Sequence, residues 1–332
     1  MAILVTGGTG FIGRNLVQKL ASRGEDIHLL ARATSNLSGS RYSNIRTFPG
    51  DITVKESLGQ AMAGCSQIFH LAAYAQGYAK DRSLYFQINS EGLRNVLEAA
   101  LEKKVGRVVF ASTSLTIGPS SDDAHDENSK RDDRFFHTEY ERSKYLAEKI
   151  ALDYVHRGLS VVIVNPTRVY GPGKLTEANS VARMVQMYLR PRLCPILGRG
   201  REIGNYVFVD DVVEGFLLAM ARGRDGERYL LGGENISLLG FYDLLQKVTR
   251  KKALRLYIPV RLALAIGRFE EWRARRLGAS PLITREWVNN FLVDWSCSNQ
   301  KAREELGCRF RSLKEGLSLT AAWLRSAQKN GD

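Results

Sequence analysis

The chain has 332 residues, 44% hydrophobic and 25% charged, a balance that fits a folded globular protein and excludes disordered and fibrous classes. Its net charge of +13 is spread along the whole length, and the densest basic group, Arg268 to Arg276, is broken by Glu270 and Glu271; a nucleic-acid interface would gather charge on one stripe, so the excess is read as a solvated surface that also favours an anionic cofactor, with no nucleic-acid partner. No run of 18 apolar residues occurs and no leader pattern precedes the first strand, so no integral membrane segment and a cytoplasmic location are expected.

Ala2 to Thr6 reads as a strand and Phe11 to Ser22 as an amphipathic helix, with a glycine-rich turn between them. Gly7, Gly10 and Gly13 suit three jobs: a tight turn, close approach of backbone to a diphosphate, and close packing of helix on strand. The free N–H groups at Phe11, Ile12 and Gly13, with the positive end of the helix dipole, favour an anion. Further strands are expected at residues 26–31, 45–48, 67–71, 107–111 and 160–165, with a helix at 90–103. Short apolar strands alternating with helices mean parallel pairing with both sheet faces covered, the doubly wound α/β (Rossmann) pattern.

The second strand ends in Arg32-Ala33-Thr34-Ser35-Asn36, which offers no carboxylate for the ribose hydroxyls of NAD. Arg32, with Ser35 nearby, can instead pair with a 2′-phosphate, so NADP is favoured over NAD. Asp51, followed by Ile52, stands where an adenine amino group can donate to it. Leu71, Ala72 and Ala73 after His70 supply side chains, two of them small, where backbone must pass the cofactor. Later, Tyr140 and Lys144 lie four apart in a helical stretch and project from one face. A phenol with a pKa near 10 exchanges protons poorly at neutral pH. An adjacent ammonium stabilises the phenolate and equips it as a general acid or base. Strand 107–111 runs into Ser112-Thr113-Ser114, hydroxyls at the carboxyl end of a sheet strand, where open α/β folds bind ligands. One of the three can hold a substrate oxygen beside Tyr140.

After Tyr170-Gly171-Pro172-Gly173 the rhythm changes. Helices are expected at residues 180–189, 240–249 and 313–327, the first broken by Arg190-Pro191-Arg192. Strands at 206–209 and 228–231 are expected to return to the main sheet. The division expected is a dinucleotide-binding domain at 1–171, with returning segments near 205–231, and a smaller, discontinuous α/β substrate lobe at 172–204 and 232–332. In segment 260–277, Leu262, Ala265, Ile266, Phe269 and Trp272 recur at helical spacing with arginines on other faces. That stripe is expected to pack over the substrate cleft or the second lobe, the other option being a membrane surface. Cys65, Cys194, Cys297 and Cys308 form no CxxC pair and have no metal-ligand spacing with histidine. They are read as reduced, mostly buried thiols, and no metal is expected.

In this order the motifs resemble the extended short-chain dehydrogenase/reductase family, also called the NAD-dependent epimerase/dehydratase family. The resemblance rests on Thr6 to Gly13, His70 to Ala73, Tyr140 with Lys144, Asn165-Pro166-Thr167-Arg168-Val169-Tyr170-Gly171-Pro172, and Tyr206 to Val212. It implies Tyr140 as the acid/base and Lys144 also on the nicotinamide ribose. Thr113, three residues after Phe110, is the implied catalytic hydroxyl, with Ser112 and Ser114 left open. Asn89 takes an architectural role beside the cofactor, and Pro166 and Val169 line the nicotinamide end. Sugar-nucleotide members carry an arginine where this chain has Gly204, for which Arg199 or Arg201 can substitute. Segments 29–37 and 259–277 look like dihydroflavonol-reductase-like and 3β-hydroxysteroid-dehydrogenase-like members. The resemblance therefore implies reversible hydride transfer between NADP(H) and a carbonyl or secondary alcohol of a small-molecule substrate. The alternative is a nucleotide-sugar epimerase or dehydratase with tightly bound NAD. A homodimer through helices that include the Tyr140 helix is expected by the same analogy.

Overall fold

A computed structural model describes residues 1–35, 42–121, 123–190 and 192–329. Asn36 and Leu37, at the end of the second-strand segment, and the helix-breaking Pro191 lie outside the described residues. The strands are β1 (Ala2–Thr6), β2 (Ile27–Ala31), β3 (Ile45–Pro49), β4 (Cys65–His70), β5 (Arg107–Ala111), β6 (Val161–Pro166), β7 (Arg168–Tyr170), β8 (Leu193–Leu197), β9 (Ile203–Phe208), β10 (Arg228–Leu231), β11 (Glu234–Ser237) and β12 (Leu254–Ile258). Seven of them form one sheet in the order β10-β6-β5-β4-β1-β2-β3. Every pairing in that sheet is parallel. The helices are α1 (Phe11–Ser22), α2 (Gly59–Met62), α3 (Ser83–Phe86), α4 (Gly92–Glu102), α5 (Glu139–His156), α6 (Ser180–Leu189), α7 (Val209–Arg222), α8 (Leu238–Thr249), α9 (Val260–Leu277), α10 (Arg285–Asn290) and α11 (Leu313–Lys329).

The alternation of strand side chains sorts the core into two layers. Ile3 and Val5 of β1 join α1 and α7 in one apolar cluster. Ala2 and Leu4 join α4 and α5 in the other. All five residues of β1 and of β2 are buried, the signature of a parallel sheet covered on both faces. Because β1 sits between β2 and β4, strand order reverses there, and a crevice opens at the carboxyl ends of β1 and β4. Between α3 and α4, Gln87–Glu91 form a π-turn, so residues 83–102 run as one helix carrying an extra residue.

The elements after Tyr170 differ from expectation in three places. First, β10 pairs with β6 in the main sheet, whereas β9 pairs with β7 and β11 in a separate three-stranded sheet. Val209 opens α7 rather than closing a strand. Asp210 and Asp211 in the first turn suit a helix start, and Asp211 accepts from the backbone N–H and guanidinium of Arg311. Second, β8 and β12 pair in parallel; Pro195 inside β8 hides it from a propensity reading.

The third difference is α9. Its apolar stripe does not pack over the cleft or the second lobe: Leu262, Ile266, Phe269 and Trp272 are 51, 40, 58 and 54% exposed. The face turned inward is Ala263, Gly267, Glu270, Glu271 and Ala274. Small residues permit close approach; a Cβ on Gly267 would lie 3.0 Å from the Arg285 backbone nitrogen. The two glutamates are tolerated inside because each is ion-paired and accepts a backbone N–H. Glu270 takes Arg273 and Leu282, and Glu271 takes Arg285 through both its guanidinium and its N–H. Among the described residues, no helix is long and apolar enough to cross a membrane.

Candidate active site

The turn from β1 into α1 divides its work among three glycines. Gly7 has φ +71°, a left-handed conformation that favours glycine, and an added Cβ would overlap the Ala72 backbone nitrogen. A Cβ on Gly13 would overlap the Gly7 carbonyl oxygen, so helix and turn pack backbone to backbone. Gly10, the extended N-cap, meets only the Gly7 oxygen at 3.2 Å and leaves the approach open. The first turn of α1 carries no acidic residue, so nothing there repels an anion at the helix start. This shape and these donors fit a dinucleotide diphosphate.

Arg32 is exposed just beyond β2, and Ser35 closes a turn by donating its N–H to the Arg32 carbonyl at 2.8 Å. Asp51 follows β3; its Oδ1 accepts from the N–H and hydroxyl of Thr53 at 2.9 and 2.8 Å. Ile52 is buried against Gly92. Leu71 donates its N–H to the Thr6 carbonyl, and Ala72 to the Thr6 hydroxyl, binding the ends of β4 and β1 together. Ala73 is exposed beyond them. Pro166 is buried at the end of β6, and Val169 is buried in β7, paired with Val207.

The reactive side chains meet at the carboxyl end of β5. A capping box sets the start of α5: Thr138 Oγ1 accepts from the Glu141 N–H, and Glu141 Oε2 accepts from the Thr138 N–H. A buried ion pair between Arg131 and Glu141, at 2.7 Å, pins the incoming loop. This fixes Tyr140 in the first turn. Burial around its hydroxyl pushes its pKa up to about 12, with the neighbouring Thr113 side chain pulling downward. Lys144, one turn on, is 1% exposed. Its ammonium donates to the Ala111 carbonyl at 2.6 Å and lies 4.3 Å from the centre of the Phe110 ring. Burial lowers its pKa to about 7, opposed by Glu148. Ser112 is committed elsewhere: its hydroxyl donates to Glu148 Oε1 at 2.5 Å. Ser114 is buried at the start of the following turn. Of the three candidate hydroxyls, Thr113 is the one whose side chain acts on the Tyr140 hydroxyl.

Asn89 lies inside the π-turn, 1% exposed. Its Oδ1 accepts from the Tyr74 N–H at 2.7 Å, and its Nδ2 donates to Ser143 Oγ at 2.9 Å. It thereby ties the loop after β4 to the helix carrying Tyr140, a supporting position. His70 is fully buried, its Nδ1 2.8 Å from Thr6 Oγ1. Burial, and secondarily Lys144, lower its pKa to about 3, so it is neutral.

Two residues were not singled out by sequence reasoning. Glu148 Oε1 gathers the Ser112 and Thr116 hydroxyls and Asn165 Nδ2, locking α5 to the ends of β5 and β6; its spacing of four from Lys144 was the available signal. Arg168 is the second. Its guanidinium stacks 4.5 Å from the Phe291 ring centre and would lie 2.7 Å from a Cβ on Gly204. Arg199 and Arg201, the expected substitutes, are exposed. Beside the first turn of α5 is a cavity of about 360 Å³ whose wall includes Tyr78, Arg82, Tyr85, Glu139, Arg275 and Glu286. Arg82 spans it, 2.8 Å from Glu286 and 3.6 Å from Glu139.

All four cysteines are free and buried. Burial raises the Cys65 and Cys308 thiols to about 11 and Cys297 to about 12. Among the described residues, no group of three His, Cys, Asp or Glu side chains is placed to hold a metal ion.

Residues 3–232 match the family model described as the NAD dependent epimerase/dehydratase family. The chain is 33% identical to a Synechocystis protein provisionally assigned as a dihydroflavonol 4-reductase, over 97% of this chain and 94% of that one. It is 30% identical to sterol demethylase protein B of Methylococcus capsulatus, over 98% of each. Among solved structures, UDP-glucose 4-epimerase of Thermotoga maritima superposes with a TM-score of 0.82 at 26% identity, covering 99% of this chain and all of that one.

Proposed function

The chain belongs to the NAD dependent epimerase/dehydratase family, and on that premise we propose that it is a reductase/dehydrogenase acting between NADP(H) and a carbonyl or secondary alcohol of an organic substrate. Gly7, Gly10, Phe11, Ile12 and Gly13 would hold the diphosphate, Arg32 and Ser35 the 2′-phosphate, and Asp51 and Ile52 the adenine. Leu71, Ala72 and Ala73 would border the cofactor, with Pro166 and Val169 at its nicotinamide end and Lys144 on the ribose. The bound nicotinamide supplies or accepts the hydride.

The observation that carries the reading is the Tyr140 hydroxyl beside the Thr113 side chain at the carboxyl end of β5, one helical turn from Lys144. With its pKa near 12, Tyr140 is protonated at neutral pH and suited to give a proton to a carbonyl oxygen held by Thr113. In the reverse direction it takes the proton back from the alcohol. Lys144, one turn from Tyr140, would hold the nicotinamide ribose, and its charge would favour the phenolate. The likeness to a provisionally assigned reductase supports the same direction. Dimerisation through helices that include α5 is part of the proposal.

A second reading, a nucleotide-sugar epimerase with tightly held NAD, is favoured by Arg168, which brings a guanidinium to the space beside Gly204. One experiment separates the two. Purified protein is denatured and any released dinucleotide identified, and the native protein is assayed with NADPH and NADH against a panel of ketones and aldehydes. Turnover with exchangeable NADPH is expected. Retained NAD with no turnover would overturn the reductase reading, and a clear NADH preference would overturn the role given to Arg32.

A further inference from the structure

The outward face of α9 has no use in the chemistry above, and its composition is specific. Leu262, Ile266, Phe269 and Trp272 are exposed by 40% or more, as is Leu277 at the end of the helix. The Phe269 and Trp272 rings stack on each other, 5.9 Å apart, rather than on the core. Spacings of three and four put the four on one face. Arg261, Arg268 and Arg275, each seven residues from the next and each exposed, run along one flank of that stripe. Arg276 is exposed among the apolar residues, while Arg273 is bound to Glu270. Both acidic residues of the helix, Glu270 and Glu271, are turned inward and ion-paired. The outer surface of the helix is therefore apolar and cationic, with no carboxylate of its own.

We infer that α9 is a docking helix for an anionic phospholipid bilayer, lying in the interface with Leu262, Ile266, Phe269 and Trp272 in the acyl boundary and the arginines among the lipid phosphates. A helix in the interfacial plane needs an apolar face, a basic flank and low net hydrophobicity, and α9 has all three. Charge selects this occupant. A protein partner would have to answer a row of arginines with carboxylates in matching register, whereas an anionic bilayer offers negative charge at every point. The strand leading into the helix adds Leu254, Leu256 and Tyr257, all exposed. Arg275 belongs both to the arginine row and to the wall of the cavity beside α5. Docking therefore sets that opening at the membrane surface. The inference does not depend on which reaction the chain performs.

The test is co-sedimentation of the full chain with vesicles of phosphatidylcholine alone and of phosphatidylcholine with phosphatidylglycerol. Binding to the phosphatidylglycerol vesicles is expected, weakening as salt is added. The pair Phe269→Glu/Trp272→Glu and the pair Arg261→Glu/Arg268→Glu should each reduce partitioning by about tenfold or more. All four residues are surface positions away from the catalytic side chains, so far-UV circular dichroism and turnover of a water-soluble substrate should be unchanged. Absence of binding to phosphatidylglycerol vesicles, or partitioning unaffected by both pairs, would overturn the inference. So would sedimentation velocity showing that Phe269→Glu/Trp272→Glu splits a dimer, which would assign the face to a second copy of the chain. Failure of vesicle binding with intact turnover leaves the proposed reaction standing.

Discussion

The carboxyl edge of the main sheet and the outer face of α9 treat polar and apolar side chains in opposite ways. At the sheet edge, Lys144 and His70 are buried beside Phe110, Asn89 and Glu148 are buried with hydrogen-bond partners, and His70 Nε2 is left without one. On α9 the glutamates go inside and the large apolar groups stay out. Burial at the sheet edge follows from what the side chains must do to one another. On α9 it follows from what the rest of the chain leaves uncovered. Hydrophobicity alone would have predicted neither.

The sharpest way to test the first region is Tyr140→Phe, which keeps the ring and removes the proton. We expect turnover to fall by about 10²- to 10⁴-fold with a much smaller change in KM, measured as steady-state reduction. A fall confined to KM would move the chemistry elsewhere. Next in size, equal truncations should separate the two regions. Phe110→Ala, in the sheet, should cost about 3–5 kcal/mol in urea unfolding. The same experiment on Phe269→Ala should give a change within about 0.5 kcal/mol. Similar costs for both would mean that α9 is covered.

Between these lies a pH effect specific to the sheet edge. His70 has a folded pKa near 3, below its ordinary 6.5, so folding favours the neutral ring. Stability is complete above pH 6.5 and falls as the pH drops toward 3. Over that window the unfolded chain binds the extra proton, and the loss approaches about 1.4 kcal/mol per pH unit. His70→Gln should flatten this part of the stability profile; an unchanged slope would show that carboxylates account for it. A further effect is expected on cofactor choice. Arg32→Ala should raise the KM for NADPH by about tenfold and leave that for NADH nearly unchanged.

The sheet was legible because its strands are short, apolar and punctuated, and because Gly7, Gly10 and Gly13 fall between a strand and a helix. Tyr140 and Lys144 were legible from their spacing. The hydrogen bond from Lys144 to the Ala111 carbonyl was not, since nothing in a spacing of four names that acceptor. Thr113 was favoured over Ser112 by its place three residues after Phe110; that Glu148 holds the Ser112 hydroxyl was not legible. The smaller sheets were missed for local reasons: β7 has three residues, β8 contains Pro195, and β12 carries its apolar residues outward. The apolar period of α9 was read correctly as helical. Which way it faced was not written in the period, because a stripe of leucine and phenylalanine has the same spacing whether it meets protein or not.

The π-turn at Gln87–Glu91 has a consequence for how this chain tolerates insertions and deletions. Upstream of it, Tyr85 forms part of the cavity wall and donates its hydroxyl to the Gln76 carbonyl at 2.7 Å. Downstream, Leu93, Val96 and Leu97 fill the core under the sheet. Removing one residue from the turn would restore a regular helix with the core half still in phase. It would also carry Tyr85 about 100° around the axis, away from both the carbonyl and the cavity. One codon therefore sets the angular offset between a half that holds the fold and a half that shapes the opening.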